Sequence, residues 1–203
     1  MAYPCIFSTV YEVKVKFKMS EVKSVCVYCS MRLGDKKEYV EESEKLGKFF
    51  AQENLHLVYG GASKGLMAAI ANSVLENGGK VTGIIPHVLK DKEVMHTGLT
   101  EIFLVEDMHT RKKMMSEKAD AFVIMPGGFG TMDETFEIIT WKFLGLHNKP
   151  IIIVNIDGYY DLLFKMMDNM IGHDLANKGY RNAFVVVDKV EDVVPAIRKS
   201  SQN

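Results

Sequence analysis

No apolar run in this 203-residue chain is long enough to cross a membrane, so no spanning helix is expected. Neither sign of charge is in excess: 25 basic and 26 acidic residues leave a net charge of -1. That balance lacks the basic surface that non-specific nucleic-acid binding requires. Cysteine is scarce, and three thiols, an odd number, point to a reducing, cytoplasmic setting rather than a disulfide scaffold. Six histidines show no His-Glu-x-x-His or comparable ligand spacing, so no metal is expected. Residues 1–18 lack the basic start and long apolar core of a secretory leader. They read as an N-terminal extension, with residues 19–203 forming the domain. No repeat, low-complexity stretch or linker divides the chain.

What the chain does have is regular alternation. Apolar segments at 22–28, 55–59, 80–85, 101–105, 121–125, 150–154 and 183–187 read as strands. Helical patterns follow at 36–53, 66–76, 109–118, 131–144, 159–171 and 190–198, with a less regular stretch at 87–100. Strands that are apolar throughout are expected where helices cover both faces of a parallel sheet. The alternation therefore predicts an α/β fold, a doubly wound Rossmann-like parallel sheet in a single domain. The pairs Met114-Met115 and Met166-Met167 read as core filler.

Several familiar motifs are approached and missed. Gly60 and Gly65 have the outer spacing of a P-loop, but Leu66-Met67 stands where Lys-Ser/Thr is required. Gly128-Phe129-Gly130 could open a dinucleotide fingerprint, but Asp133 occupies the third glycine position and would repel a pyrophosphate there. Cys26-Val27-Tyr28-Cys29 has redox spacing, yet Cys26 lies inside an apolar strand and no second pair completes a metal site.

Two stretches carry more. In Met125-Pro126-Gly127-Gly128-Phe129-Gly130-Thr131-Met132-Asp133-Glu134 a strand ends, the chain turns on glycines, and a helix begins near Thr131. Such a turn offers backbone N–H groups and the positive end of a helix dipole, both suited to a phosphate. Glu134 falls on the same helix face as Thr131, because residues three apart are neighbours. The second stretch, Asp107 to Lys113, puts Arg111, Lys112 and Lys113 near the start of a helix, where the dipole disfavours cations. It reads either as a solvated basic face or as an anion-facing cluster in which Arg111 makes paired hydrogen bonds.

Together the two stretches resemble the Lonely Guy (LOG) family. Pro126-Gly127-Gly128-Phe129-Gly130-Thr131-Met132-Asp133-Glu134 matches its PGGxGTxxE motif, and Met108-His109-Thr110-Arg111-Lys112 its MHxRK segment. Likeness continues through Ile139-Thr140-Trp141, Leu146-His147-Asn148-Lys149-Pro150 and Asn155-Ile156-Asp157-Gly158-Tyr159-Tyr160, covering about residues 22 to 195. The first βα loop departs: Cys29-Ser30-Met31-Arg32 stands where the family usually reads CGS followed by S or R. The second, Gly60 to Ala68, has alanines where glycines are common.

Members of that family are cytokinin riboside 5′-monophosphate phosphoribohydrolases, often mislabelled as lysine decarboxylases. The resemblance implies hydrolysis of the N-glycosidic bond of a nucleoside 5′-monophosphate, AMP or a cytokinin riboside monophosphate, to free base and ribose 5-phosphate. It implies that Glu134 acts at the ribose, and that Arg111 assists the departing base or holds Glu134 in place and ionised. Gly127, Gly128, Gly130 and Thr131 would take the 5′-phosphate. Lys112, Glu93 and Thr140 match further substrate-contacting positions. The resemblance implies a homodimer and neither metal nor organic cofactor; no sequence context singles out the lysine that a pyridoxal-phosphate decarboxylase needs. The alternatives are a non-catalytic nucleotide-binding or carrier protein, favoured by the altered first loop, and a redox switch at Cys26 and Cys29.

Overall fold

The computed structural model describes residues 21–89 and 95–201, which build one wholly parallel seven-stranded sheet. Its strands are β1 Ser24–Tyr28, β2 His56–Tyr59, β3 Val81–Pro86, β4 Glu101–Val105, β5 Ala121–Ile124, β6 Ile151–Val154 and β7 Val185–Val187. Six α-helices accompany them: α1 Lys37–Gln52, α2 Gly65–Glu76, α3 Met108–Lys118, α4 Phe129–Phe143, α5 Asp161–Gly172 and α6 Val193–Ser200. Every expected element within these residues is present, most of them within two residues of the expected ends. The expected helix at 190–198 divides into a 3-10 turn at Val190–Asp192 followed by α6. The proposed extension at 1–18 lies outside the described residues.

The strand order is β4-β3-β2-β1-β5-β6-β7. The chain builds outward from β1 in one direction, then returns and builds outward from β5 in the other. Register is continuous across the junction, from Val25 opposite Ala121 to Tyr28 opposite Ile124.

Residue alternation along the strands divides the core in two. Val25, Val27 and Cys29 face the layer of α1, α2 and α6, packing with Leu46, Phe50, Ile70, Val74 and Ile197. Cys26 and Tyr28 face the layer of α3, α4 and α5, packing with Met115, Ile138 and Met167. The methionine expectation therefore holds for Met115 and Met167, but Met166 stands half-exposed on the solvent side of α5.

Both cysteines of the Cys-x-x-Cys spacing are fully buried in this core. Burial, reinforced by the nearby Glu134 carboxylate, pushes both thiols well above the ordinary range. A thiol held in its neutral form is a poor nucleophile, which counts against a redox switch.

The far end of α4 is fixed by a buried histidine. His147 Nε2 donates to the Ile138 carbonyl at 2.9 Å, while Nδ1 accepts from the Lys149 amide at 3.2 Å. Its ring lies 5.5 Å from Phe122. Burial pushes this imidazole down to about 4 from its ordinary 6.5. The folded protein thus keeps His147 neutral where the unfolded chain would protonate it. The contribution of the neutral ring is complete above pH 6.5 and is lost as pH falls from there toward 4. Urea unfolding should show this loss, on the order of 3 kcal/mol across that window, and His147→Gln should flatten that part of the stability–pH curve.

Candidate active site

In open α/β sheets, ligands bind outside the carboxyl ends of the strands, where the order reverses. Here that place lies between the loops following β1 and β5. The first loop is strung between two neighbours: the Ser30 amide donates to the Pro126 carbonyl at 3.1 Å, and the Ser30 carbonyl accepts from the Met67 amide at 3.2 Å. The loop that departs from the family pattern therefore ties the turn after β5 to the first turn of α2.

After β5 the chain passes through Pro126 and Gly127, both buried, to Gly128 at the N-cap of α4. A methyl group on Gly127 would lie 2.1 Å from Thr131 Oγ1, so the turn closes onto the helix only without a side chain there. Gly128 and Gly130 are exposed with open space above them, whereas Thr131 is buried beneath. The first-turn amides of α4 have no intrahelical acceptor and carry the positive end of its dipole. Glu134 follows one turn later and is 6% exposed.

Arg111 comes from α3, whose N-terminus is capped by Asp107 accepting from the Thr110 amide at 2.7 Å. Arg111 is 3% exposed. Its Nε donates to the Ile84 carbonyl at 3.1 Å and its Nη2 to the Gly60 carbonyl at 2.9 Å. These bonds fix the plane of the guanidinium at the ends of β2 and β3. Glu134 raises the Cys26 thiol further after burial, while Arg111 lowers it, so both charges act on one sulfur atom. Sequence places Arg111 and Glu134 on different helices; the fold brings them to one side of the sheet.

The solvated-face reading of the basic stretch is thereby corrected for two of its three cations. Arg111 and Lys112 are buried and only Lys113 stays in solvent. Lys112 Nζ reaches Glu137 at 3.0 Å and Asp133 at 3.2 Å, both on α4. Desolvation works against its charge, but the hydrogen bonds to Glu137 and Asp133 prevail and hold its pKa above the ordinary value. Asp133, the residue that spoils the dinucleotide fingerprint, is thus a clamp between α3 and α4.

Thr140 does not join Glu134. Six residues further along α4, it lines a cavity of about 300 Å³ with Phe136, Met167, Tyr180 and Phe184. Glu93 lies outside the described residues.

Sequence reasoning missed three donors that shape the turn after β5. Tyr160 Oη donates to the Met125 carbonyl at 2.7 Å, Tyr159 Oη to the Gly127 carbonyl at 2.7 Å, and the Ser30 amide to Pro126 between them. The only signal in the sequence was the likeness of Asn155–Tyr160 to the family, which carried no role.

A family model described as "Possible lysine decarboxylase" matches residues 67–197. The cytokinin riboside 5′-monophosphate phosphoribohydrolase of Rhodococcoides fascians is 41% identical over 177 residues, spanning 87% of this chain and 89% of that protein. A protein of the same name from Arabidopsis thaliana is 37% identical over 187 residues, spanning 89% and 88%. Among solved structures, the Moco carrier protein of Chlamydomonas reinhardtii matches with a TM-score of 0.67 at 17% identity, covering 89% of this chain and 98% of that one. The last likeness is one of fold. The first two extend over most of both chains, and with both signature motifs in place this protein belongs to the LOG family.

Proposed function

We propose that this protein hydrolyses the N-glycosidic bond of a nucleoside 5′-monophosphate, AMP or a cytokinin riboside 5′-monophosphate, to free base and ribose 5-phosphate. The observation that carries this reading is the burial, on one side of the sheet, of Glu134 one turn into α4 and of an Arg111 whose guanidinium is held by two backbone carbonyls. It is joined by the relatives' shared activity at about two-fifths identity.

In the reaction the C1′–N bond breaks with its electron pair going to the base, a water oxygen bonds to C1′, and the proton that this water gives up ends on the base nitrogen. Positive charge builds on the ribose as the bond stretches. The Glu134 carboxylate faces that charge and takes a proton from the attacking water. Arg111 offsets the negative charge developing on the departing base. Its anchoring to Gly60 and Ile84 means that the cation need not reorganise as charge moves. Gly127, Gly128, Gly130 and Thr131 form the subsite for the 5′-phosphate, whose binding energy positions the reacting bond.

The ion pairs of Lys112 support a positioning role: it braces α3 against α4 and so sets Arg111 relative to Glu134. They also count against Lys112 as a Schiff-base lysine, which needs a lowered pKa. Glu93 and Thr140 stay in the proposal on the resemblance. So do the homodimer and the cytoplasmic location. Exposed apolar residues on and after α4, including Phe136, Phe143, Leu144 and Leu146, offer surface for a second copy. No helix among the described residues is long and apolar enough to cross a membrane. The structural likeness to a carrier protein concerns the fold and does not favour carriage over turnover.

Incubation with AMP and with isopentenyladenosine monophosphate should release free base and ribose 5-phosphate; no base from any nucleoside monophosphate would refute the reading. Glu134→Gln should lower kcat by on the order of a thousandfold while ribose 5-phosphate still binds in calorimetry. Near-normal turnover in that variant would remove Glu134 from the catalytic role. Gly60→Ala places a methyl 2.2 Å from Arg111 Nη2. This variant should stay folded by circular dichroism yet lose roughly a hundredfold in kcat, because the guanidinium is displaced from its carbonyls.

A further inference from the structure

The turn after β5 presents three successive carbonyls, of Met125, Pro126 and Gly127, and all three residues are buried. Each carbonyl accepts from a different donor outside the turn: Tyr160 Oη at 2.7 Å, the Ser30 amide at 3.1 Å and Tyr159 Oη at 2.7 Å. In a trans peptide the C=O and the N–H of one plane point in opposite directions. The described residues contain no cis peptide bond. Whatever holds the Pro126 carbonyl therefore aims the Gly127 N–H, and whatever holds the Gly127 carbonyl aims the Gly128 N–H. The carbonyl of Met125 precedes a proline and has no N–H to aim, so Tyr160 anchors the start of the turn. The Ser30 amide and the Tyr159 hydroxyl are the two that orient donors.

The plane between Gly127 and Gly128 is the one that most needs holding. Neither residue has a Cβ, so both dihedrals that turn this peptide are freer than those of the planes on either side. We propose that Tyr159 is a positioning residue for the phosphate subsite: its hydroxyl holds the Gly127 carbonyl and so keeps the Gly128 N–H turned toward the 5′-phosphate. The inference rests on the nucleotide reading of the same turn and deepens it.

Tyr159 is itself braced for this task. Its ring meets Tyr160 edge-on at 4.8 Å and Tyr39 edge-on at 5.8 Å. It follows a turn in which Asp157 and Gly158 both take left-handed conformations, with φ of 49° and 70°. That turn is tied down by the Lys36–Asp157 ion pair, by the Tyr160 amide donating to Asn155 Oδ1 at 2.7 Å, and by Asn155 Nδ2 donating to Asp161 Oδ1 at 2.9 Å. The strand β6, far from the chemistry in sequence, thus sends out an arm that reaches back to the turn after β5.

Tyr159→Phe keeps the ring and its packing and removes only the oxygen. In the unliganded variant the Gly128 amide resonance should shift and broaden relative to the parent protein. Ribose 5-phosphate and inorganic phosphate should bind about tenfold more weakly in calorimetry, the worth of one hydrogen bond. KM for the nucleoside monophosphate should rise by the same factor with kcat nearly unchanged, and binding of the phosphate-free nucleoside should not change. A role in packing alone predicts an unchanged Gly128 resonance, or equal weakening for ligands with and without phosphate; either result would overturn the assignment. So would a parent protein that binds neither phosphate nor ribose 5-phosphate. A parent protein that binds both but releases no base, with a phosphate-dependent loss in Tyr159→Phe, upholds Tyr159 and rejects the hydrolysis.

Discussion

The reversal of strand order between β1 and β5 governs the rest of this molecule. Because the chain winds away from β1 on one side and from β5 on the other, their loops diverge and leave a gap at the carboxyl edge of the sheet. The elements of the proposed site converge there: the departing first loop, the glycine turn, and the ends of β2 and β3 that grip Arg111. The sheet can impose this because its central strands are apolar on both faces. Val25 and Val27 serve one layer while Cys26 and Tyr28 serve the other. A one-residue slip of β1 against β5 would exchange those layers and bury nothing well, so the register that fixes the gap is itself fixed by packing.

At the rim of that core sit three buried charges, Arg111, Lys112 and Glu134. An ion taken from water without partners is strongly destabilising. The two cations are stabilised in different ways. Arg111 donates to the strand-end carbonyls of Gly60 and Ile84. Lys112 uses the carboxylates of Asp133 and Glu137, which neutralise it locally and bind two helices together. The guanidinium suits the first arrangement because its planar fork can meet two carbonyls at once.

The fold was legible because its signals are local. Apolar runs bounded by glycine, proline and asparagine marked the strands, and the helical stripe through Tyr39, Val40, Leu46, Phe49 and Phe50 marked α1; Tyr39, Leu46 and Phe50 are buried, while Val40 and Phe49 are half-buried against the same core. The turn at Gly127–Thr131 was legible for the same reason, as one continuous stretch of chain. What escaped depended on distance along the chain. Gly60 is 51 residues from Arg111, and Gly127 is 32 residues from Tyr159. No periodicity records such a pairing. Gly60 was visible as a failed P-loop glycine, and its reason for being glycine, the approach of Arg111 Nη2, appeared only in three dimensions. The basic stretch was ambiguous between surface and site because burial of Arg111 and Lys112 depends on partners that α3 does not carry.

A nucleoside monophosphate sets this site an electrostatic problem. The proposed mechanism puts a carboxylate near the ribose, yet the substrate brings a phosphate that the same carboxylate repels. Glu134 lies only about 4.5 Å along the α4 axis from Thr131. A lysine in the turn, as in a P-loop, would attract the phosphate but would also pair with Glu134 and blunt it. The chain has Leu66-Met67 after its P-loop-like glycines and no lysine between Pro126 and Glu134. In the proposed subsite the attraction for the phosphate comes from peptide dipoles, which have direction but no net charge to share with the carboxylate. Dipoles are useful only while they point the right way, and a Gly-Gly peptide turns easily. Holding its carbonyl from behind is the physical complement of leaving the lysine out.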